Sequence, residues 1–455
     1  MGISYESLAR AIDTSVILSR LAASPFRGRV FLVGGALREF ALGSNPRDYD
    51  LALSDPDDLK AIEKVFQKRA FLLGKKPIQT YRIAAEDIML DITVLEASIE
   101  KDLARRDFTM NAIAFDLKAR AVVDPLKGLG DIDGKIIRYP DRGTIASDPL
   151  RMLKAIRHFA VLDGFVLDPE LKEAIASSRG LIRTTAAERI KYELDLIMES
   201  PGASRGMEVL SQTGLLFEIV PELMALRAMD IEKHFSLETY GHTLHGFSFL
   251  HSRGAYYVPD PASLKDVGYA LLFHDLGKAH TYSYDEKKGL VHFFNHERIS
   301  RDIASAIMDR LRFSVQERKR ICSLIEHHMR IFLISSSDAT EKAIRRLIYK
   351  MGDLTPLLIA HTLCDMYGSS DGEDNPSTFQ VIQNCNAIMS AYRESKKEPL
   401  PRLVCGNDLK NVGFLEGPFL GEALEIIRDR QIAGEISTRD EALRLAEQML
   451  RDRKA

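Results

Sequence analysis

The sequence predicts an α+β N-terminal head, a small mixed sheet with helices, followed by all-α domains to the C-terminus. Two observations lead to this prediction. Short apolar runs typical of strands fall in the first part of the chain, at Val30–Val33, Asp50–Leu53 and Ile88–Val94. From residue 148 onward, apolar residues instead recur every three to four positions, which is the spacing of helices that bury one face.

Helical spacing also marks the start of the chain. Leu8, Ile12, Ile17 and Leu21 predict a single opening helix with one apolar face. Near the other end, the polar stretch 369–377 has the composition of a linker before a final helical region.

The composition is that of an ordinary soluble globular protein. The chain has 455 residues, 45% hydrophobic and 28% charged, which leaves room for three or four domains. No apolar stretch approaches the roughly 20 residues of a membrane span, so no membrane partner is expected. Four cysteines without a CxxC pair, and an N-terminus unlike a signal peptide, favour the reducing cytoplasm. A net charge of −3 means that a nucleic-acid partner requires local basic patches.

The first candidate site combines a glycine turn with two aspartates. Gly34 and Gly35 end the first strand, and paired glycines let backbone N–H groups approach phosphates closely. Asp48 and Asp50 alternate on a strand, so both carboxylates face one side and suit Mg²⁺. Arg38 is placed to neutralise phosphate charge. Together these residues predict nucleotidyl transfer to a 3′-hydroxyl, and the alternative is an ordinary turn beside a solvated strand end.

A second candidate site lies at 147–159. Asp148, Arg151 and Lys154 are three residues apart, and we expect them to share one helix face. A carboxylate accepts from the exocyclic amine of cytosine or adenine, and a guanidinium donates to the neighbouring acceptor. The pair therefore predicts selection of C and A by the protein itself. The alternative is a helix cap at Asp148, followed by an exposed arginine.

The third candidate site is a set of histidines and aspartates in the helical region 238–368. Five segments carry them: Tyr240–Leu244, Leu271–Lys278, Phe293–Glu297, Ile325–Arg330 and Thr362–Asp365. Imidazole and carboxylate groups together suit Mn²⁺, Ni²⁺, Fe²⁺ or Zn²⁺, and such a centre polarises phosphate and activates water. The alternative for any single histidine is a hydrogen-bonded helix residue without a metal.

Three head segments resemble the signatures of class II tRNA nucleotidyltransferases (CCA-adding enzymes) and bacterial poly(A) polymerases. They are GGALREFALGSNPRDYDLAL at 34–53, RRDFTMNAIA at 105–114 and DPLKGLGD at 124–131. The resemblance implies that Asp48 and Asp50 hold the catalytic metal and that Gly35 and Arg38 contact the nucleotide. It also implies that two further residues bind phosphate and ribose, namely Arg106 and Asp107. Glu39 replaces the usual Asp, and Asp91 is either a third acidic residue near the metal or a plain strand residue.

The segment at 147–159 resembles the base-reading motif of the same family. The resemblance implies base contacts for Asp148 and Arg151, and more weakly for Lys154 and Arg157, because Lys154 stands where the family has an arginine. Between Asp91 and the RRDF motif lie only residues 92–104, whereas full CCA-adding enzymes of this class usually carry a longer loop there. This shortness indicates either a CC-adding enzyme or a compact variant.

The histidine-rich region resembles the HD phosphohydrolase superfamily. The family pattern implies a set of metal ligands: His242, His274, Asp275, His296, His328 and Asp365. His245 competes with His242 and His327 competes with His328, while His251, His280, His292 and His361 are interpreted as structural. A complete set implies hydrolysis of phosphomonoesters or 2′,3′-cyclic phosphates.

The resemblance organises the chain into four expected domains. They are a nucleotidyltransferase head at 1–140, a helical neck at 141–237, an HD domain at 238–368 and a tRNA-contacting region at 369–455. The expected function is Mg²⁺-dependent addition of C and/or A from CTP and ATP to the tRNA 3′ end, with a second, phosphohydrolase activity. Poly(A) polymerase, and an RNA-binding phosphohydrolase with an inactive head, are the alternatives. The oligomeric state stays open.

Overall fold

The structure is a computed structural model that describes residues 3, 5–73, 79–85, 88–233, 239–258, 260–335, 341–370, 375–397 and 400–454. The chain folds into two compact units, Met1–Glu193 with Val209–Ile219, and Leu194–Glu208 with Val220–Ala455. The strands are β1 (Val30–Val33), β2 (Asp48–Leu53), β3 (Phe71–Leu73), β4 (Thr80–Ala85), β5 (Ile88–Val94), β6 (Ala114–Asp116), β7 (Ala121–Val123), β8 (Ile136–Ile137), β9 (Val166–Leu167), β10 (Tyr282–Asp285) and β11 (Leu290–Phe293).

Helices account for most of the remaining chain. They are α1 (Tyr5–Asp13), α2 (Val16–Ala22), α3 (Gly35–Ala41), α4 (Asp58–Phe66), α5 (Ile99–Ala104), α6 (Gly128–Asp133), α7 (Gly143–Ser147), α8 (Arg151–Val161), α9 (Pro169–Ser178), α10 (Ala187–Glu199), α11 (Ala203–Gln212), α12 (Leu215–Ile219), α13 (Leu223–Lys233), α14 (Thr239–Phe249), α15 (Leu264–Phe273), α16 (Lys278–Thr281), α17 (His296–Arg310), α18 (Val315–His327), α19 (Arg330–Ser335), α20 (Glu341–Met351), α21 (Thr355–Ser369), α22 (Pro376–Lys397), α23 (Gly406–Val412), α24 (Pro418–Ile432) and α25 (Arg439–Lys454).

The first unit is built on a seven-stranded mixed sheet. Its strand order is β3-β4-β5-β2-β1-β6-β7, in which β2 and β5 are parallel and the other pairs are antiparallel. Side chains alternate between the two faces of each strand. On one face, Phe31, Val33 and Ala52 pack against Ile99 and Leu103 of α5. This packing fixes the chain that follows α5, and that chain carries the RRDF motif.

The prediction of a single opening helix is wrong, because the structure has two short helices there. Ser15 lies between them in an extended conformation, and its hydroxyl accepts a hydrogen bond from the backbone of Leu18 at 3.4 Å. A serine at this position favours a new helix N-terminus over a continuous helix. The apolar face is still buried, since Leu8, Ile12 and Leu21 are all within the core.

The second unit is almost entirely helical, with one hairpin that the sequence reasoning missed. β10 and β11 pair antiparallel within the predicted helical region 238–368. The turn between them uses Gly289 at φ 65° and Asp285, which accepts from the backbone of Lys287 at 3.0 Å. An Asp and a left-handed glycine are strong turn formers, so a short hairpin forms here in place of a helix.

The C-terminal part of the second unit has its own small core. Leu409 of α23, Phe414, Ile427 of α24 and Ala446 of α25 are buried together. Of the predicted linker at 369–377, residues 371–374 lie outside the described residues. Among the helices that the structure describes, none combines the length and the apolar character required to cross a membrane.

Candidate functional site

The two aspartates of the first site lie on one face of the sheet at the start of β2. Asp48 is exposed and Asp50 is half-buried. In the parallel register of β2 and β5, Asp50 lies directly beside Asp91. Burial raises the pKa of Asp50; the Arg106 guanidinium opposes this shift, and the Asp91 and Asp48 carboxylates add to it. A carboxylate whose pKa is raised beside other carboxylates is typical of a place where a cation relieves the repulsion.

Asp91, which the sequence left open, is held by an arginine from the neighbouring strand. Arg82 of β4 donates from Nε and Nη2 to the two carboxylate oxygens of Asp91, each at 2.7 Å. Arg82, Asp91 and Asp50 lie side by side on three neighbouring strands, and the Asp48 and Asp50 carboxylates add to the rise in the pKa of Arg82 that the hydrogen bond to Asp91 causes. Asp91 therefore acts on Asp50 as a charged neighbour, with both of its own oxygens already bonded.

The glycine turn lies directly against the acidic pair. Gly34 has φ 77° and ψ −146°, a backbone conformation that residues other than glycine rarely adopt. A Cβ at Gly34 would lie 2.6 Å from Oδ2 of Asp50 and 3.1 Å from Nη1 of Arg106. Glycine is therefore required for two reasons, its backbone angles and the space. Gly34, Asp50 and Arg106 form one group, to which two of the three head segments contribute.

Arg38 and Asp107 belong to a second group, which is linked by Asn111. Arg38 donates from Nη1 to Asn111 Oδ1 at 2.5 Å, and Asn111 Nδ2 donates to Asp107 Oδ1 at 3.0 Å. Nζ of Lys154 lies 3.8 Å from the other oxygen of Asp107. Burial lowers the pKa of Arg38, and the carboxylates of Glu39 and Asp107 counter this shift. The asparagine of the RRDFTMNA segment is therefore the connecting residue.

Arg106 is held in place by a residue that the sequence reasoning missed. Its Nη2 lies 3.1 Å from Oδ2 of Asp102, and the other oxygen of Asp102 accepts from Arg105 at 2.7 Å. Asp102 is on α5 with an almost fully buried side chain. An acid three and four residues before two arginines is the signal that could have identified this pairing.

The predicted shared helix face at 148–154 is wrong for Asp148. The helix α8 begins at Arg151, and Asp148 is in an extended conformation at the end of α7. The carboxylate of Asp148 instead accepts from Nη2 of Arg189 at 3.0 Å. A residue that precedes a proline rarely adopts helical backbone angles. Asp148 precedes Pro149, which explains why α8 does not include it.

Arg151 and Arg157 also have partners outside their own helix. Arg151 donates from Nη2 to the carbonyl of Arg105 at 2.9 Å. Arg157 donates from Nε to Glu193 of α10 at 2.7 Å, and Glu193 is only 3% exposed. Neither Arg189 nor Glu193 was predicted from the sequence. The signal available for Glu193 was an acidic residue beside the apolar face of α10, because a buried acid requires a partner.

All six predicted HD ligands converge in the second unit. The Nε2 atoms of His242 and His274 are 3.4 Å apart, and those of His296 and His328 are 3.2 Å apart. Nε2 of His242 lies 3.2 Å from Asp275 and 3.4 Å from Asp365. Among the described residues, three overlapping groups could hold a metal ion, and they consist of these six residues: His242, His274, Asp275, His296, His328 and Asp365.

The imidazoles are oriented by the backbone. Nδ1 of His274 lies 2.8 Å from the carbonyl of Leu271, and His296 and His328 make the same contact three residues back at 2.9 and 2.8 Å. A carbonyl at Nδ1 fixes the hydrogen there and leaves the lone pair on Nε2. Histidines that bind metals are usually held in this way.

The charges of the cluster also fit a divalent cation. Burial alone would lower the pKa of His242 and of His274, but Asp275 and Asp365 raise them to about 9 and about 10. The same imidazoles and Lys278 hold the pKa of Asp275 well below its usual range despite burial. The two buried carboxylates thus favour positive charge beside them, and a divalent cation held by the same ligands supplies it.

Gly277 of the HD segment allows α17 to approach the cluster. A Cβ at Gly277 would lie 2.3 Å from the carbonyl of His296, and its own N–H donates to the hydroxyl of Ser300 at 2.8 Å. This contact positions His296 at the first turn of α17. Only a glycine leaves this space.

The competing histidines lie outside the cluster. Nδ1 of His245 contacts the carbonyl of Gly368 at 3.2 Å, and Nδ1 of His327 contacts the carbonyl of Ser323 at 2.9 Å. His361 was interpreted as structural, yet its ring centre lies 5.2 Å from that of His274. Burial lowers the pKa of His361 to about 4, so it is neutral beside the cluster.

Comparisons with known proteins agree with both halves of this description. Three family models match: the poly A polymerase head domain over residues 30–138, the probable RNA and SrmB-binding site of polymerase A over 164–226, and the HD domain over 239–366. They cover both the acidic pair and the histidine cluster.

Curated relatives match almost the whole chain. An A-adding tRNA nucleotidyltransferase of Deinococcus radiodurans is 29% identical, over 92% of this chain and 95% of the relative. A CC-adding tRNA nucleotidyltransferase of Thermus thermophilus is 31% identical, over 90% of this chain and 92% of the relative. A solved complex of a CCA-adding enzyme with CTP has 18% identity and a TM-score of 0.69 over 99% of both chains, which shows the shared fold.

These findings confirm the predicted fold class and the predicted family. The head carries a mixed sheet, the described remainder of the chain is mainly helical with two small two-stranded sheets, and the HD domain is present. The chain belongs to the family of tRNA nucleotidyltransferases and poly(A) polymerases, and it carries an HD domain.

Proposed function

We propose that this protein adds C and/or A from CTP and ATP to the 3′ end of tRNA. The observation that carries the proposal is the group formed by Gly34, Asp50 and Arg106, with Asp48 beside it on the same face. In the reaction, the 3′-oxygen of the RNA forms a bond to the α-phosphorus. The bond to the bridging oxygen breaks, pyrophosphate leaves with the electron pair, and the hydroxyl proton passes to solvent.

Mg²⁺ is the metal that best fits Asp48 and Asp50. Both are hard oxygen donors, and two carboxylates leave coordination positions for nucleotide phosphates and water, as Mg²⁺ prefers. When bound there, the cation neutralises charge on the phosphates and lowers the pKa of the attacking hydroxyl. The half-buried Asp50 and the exposed Asp48 then serve as its fixed protein ligands.

The remaining head residues bind and orient the nucleotide. Gly34 and Gly35 add no side chain of their own beside Asp50, Arg106 and Arg38, so their backbone N–H groups can approach the triphosphate. Arg106, held by Asp102, supplies a fixed positive charge next to Asp50. Asp107 can accept from a ribose hydroxyl, because a carboxylate has more acceptor positions than Asn111 uses.

The base is selected by Asp148 and Arg151, with weaker contributions from Lys154 and Arg157. Asp148 accepts from the exocyclic amine that C and A share and U lacks. Its ion pair with Arg189 leaves acceptor positions on the carboxylate for this contact. Arg157 is bonded to the buried Glu193 and contributes less to base selection. It supports the helix α8, which carries Arg151 and Lys154.

The product is best determined on tRNA transcripts that lack the 3′ end. The transcripts are incubated with CTP alone, ATP alone or both, and the products are sequenced. Addition of C, of A, or of both in order supports the proposal and identifies the class of enzyme. A long tail of A shows a poly(A) polymerase instead. No incorporation by the folded protein under any condition shows that the head is inactive.

The second candidate activity is phosphohydrolysis at the histidine cluster. The observation that favours it is the convergence of four Nε2 atoms and two carboxylates, of which only His242 is partly exposed. This donor set suits Mn²⁺, Ni²⁺, Fe²⁺ or Zn²⁺, which would activate water for attack on a phosphomonoester or a 2′,3′-cyclic phosphate. The test is release of phosphate, or opening of the cyclic ester, by the protein loaded with each metal in turn.

We assign the head to 1–140, the neck to 141–237, the HD domain to 238–368 and a tRNA-contacting region to 369–455. The matched family segments fall inside the first three ranges. We also place the protein in the cytoplasm, a location that four free cysteines support.

A further inference from the structure

A basic recess of about 440 Å³ lies between α19 and α20 in the second unit. Four cationic side chains line it, from Arg330, Lys342, Arg346 and Lys350. Among the described residues, no acidic side chain is part of this lining. A concave site with charge of one sign attracts a ligand of the opposite sign, and the volume is that of a small-molecule or single-nucleotide site.

Two of the four cations are already balanced. Lys342 pairs with Glu435, and Arg346 pairs with Asp429 on α24. Arg330 and Lys350 are exposed, and within the described part of the chain neither has an ion pair. The recess therefore keeps an excess of two positive charges, enough for one cationic contact to each of two phosphate groups.

The recess also has an apolar wall and a buried imidazole. Leu333, which is 55% exposed, and Leu347 line it together with Ala343. His327 is only 9% exposed, and its Nδ1 contacts the Ser323 carbonyl, so its Nε2 is the polar atom left for a ligand. Cations beside an apolar wall suit a ligand that has both an anionic group and an apolar face, as the phosphate and the base of a nucleotide provide.

We propose that the basic recess binds a phosphorylated nucleotide, either free or within single-stranded RNA. Arg330 and Lys350 contact the phosphates, Leu333 and Leu347 lie against the base, and Nε2 of His327 bonds a polar group of the nucleotide. This site is separate from the acidic pair of the head and does not depend on the proposed transfer reaction.

The test measures binding of a fluorescein-labelled RNA hexamer of C and A to the full-length protein, by anisotropy over a series of salt concentrations. The double variant Arg330→Gln/Lys350→Gln is compared with Lys288→Gln/Lys319→Gln, which removes two charges of the same unit outside the recess. We expect about tenfold weaker binding at low salt for the recess variant, and a salt slope smaller by about 1.4, from two lost contacts to single-stranded phosphate. The control pair should change affinity less than twofold.

Competition with CMP and with inorganic phosphate identifies the ligand. Displacement of the recess-bound RNA by CMP indicates a free nucleotide as the occupant, and displacement only by RNA indicates an RNA segment; both support the site. Equal loss of affinity in the two double variants overturns it, as does displacement by inorganic phosphate as effectively as by CMP. The variant Asp48→Ala should keep recess-dependent binding, so failure of the transferase proposal leaves this one intact.

Discussion

The acidic pair of the head and the histidine cluster of the HD domain are both candidate metal sites, but they are built in opposite ways. Asp48 and Asp50 are two oxygen donors at the exposed end of a strand. The histidine cluster has six donors, all nearly buried, with ring nitrogens 3.2 to 3.4 Å apart. The first site needs groups from a substrate to complete a coordination shell, whereas the second supplies most of its donors itself and leaves room for water.

The two sites also differ in their electrostatics. In the head, burial and neighbouring carboxylates raise the pKa of Asp50, so the free protein stores repulsion that a cation with its bound nucleotide relieves. In the cluster, His242 and His274 hold the pKa of Asp275 and of Asp365 well below the usual range despite burial, so both carboxylates are ionised ligands for a cation. Metal binding at the head should therefore be weak without nucleotide, and metal binding at the cluster should be tight without substrate.

The largest effect is expected from Asp48→Ala. Loss of one of two fixed metal ligands should lower nucleotide incorporation by at least about 10³-fold, since the metal supplies several kcal/mol of transition-state stabilisation. Phosphohydrolase activity at the cluster should be unchanged. Incorporation of labelled CTP and ATP into tRNA, and phosphate release, measure the two activities on the same preparation.

Asp55→Asn is the matched control for this variant. Asp55 lies just beyond the other end of β2, where its carboxylate accepts from the backbone of Asp57 at 2.9 Å. It should retain incorporation near the wild-type rate. Incorporation by Asp48→Ala at that same rate would show that the acidic pair is not the transferase site.

His274→Ala tests the closed site of the comparison. His274 is 1% exposed and contacts His242, Asp275 and Asp365, so its removal opens the cluster. Affinity for Mn²⁺ should fall by at least about 100-fold, the upper end of what the loss of an outer partner costs. Nucleotide incorporation should persist. Metal content after dialysis, measured by mass spectrometry, is the readout.

His280→Ala serves as the control, because His280 is exposed and belongs to none of the metal-binding groups found among the described residues. It should keep the metal content of the wild type. Loss of both activities in a folded His274→Ala protein would contradict two independent sites.

Much of this comparison was predictable from sequence, because strand alternation and motif order are local properties. Val30–Val33 and Ile88–Val94 are strands with the predicted bounds. The common side of Asp48 and Asp50 follows from the two-residue period of a strand. The histidine ligands followed from the family resemblance, and the structure places His296 at the start of α17, His274 and His328 at the ends of α15 and α18, and His242 within α14.

The partners of those residues were not predictable in the same way. Asp148 pairs with Arg189, 41 residues later, and Arg157 pairs with Glu193 on the same distant helix. Such contacts depend on how α8 and α10 pack, which no local pattern encodes. The hairpin β10–β11 was missed for a related reason, because a four-residue strand gives too few alternations to outweigh the helical surroundings.

Gly34→Ala and Gly43→Ala compare a glycine at the acidic pair with one far from any neighbour. Both have φ 77°, which alanine rarely adopts, so each alanine should cost about 1–3 kcal/mol of unfolding free energy for its backbone strain. Only at Gly34 would the Cβ meet Oδ2 of Asp50, at 2.6 Å, whereas at Gly43 it meets no atom within 4 Å. Displacement of that carboxylate should lower incorporation about 100-fold.

Chemical denaturation measures the shared cost of the two glycine variants, and incorporation measures the difference between them. Similar activity in both would mean that the backbone angle matters at this turn and that the contact with Asp50 does not.

The smallest effect is expected where the head relies on an exposed ion pair. Arg189→Gln releases Asp148, but the pair is half-exposed on the arginine side, and exposed pairs contribute only about 0.2–1 kcal/mol. The KM for CTP and ATP should rise by no more than about fivefold, with kcat unchanged, because the carboxylate loses orientation and keeps its chemistry. Arg183→Gln removes a similar exposed arginine, paired with Glu218, and should leave KM unaltered. A fall in kcat for Arg189→Gln would mean that this arginine contacts the reacting nucleotide directly. The head site would then, like the histidine cluster, depend on fixed protein groups for its chemistry.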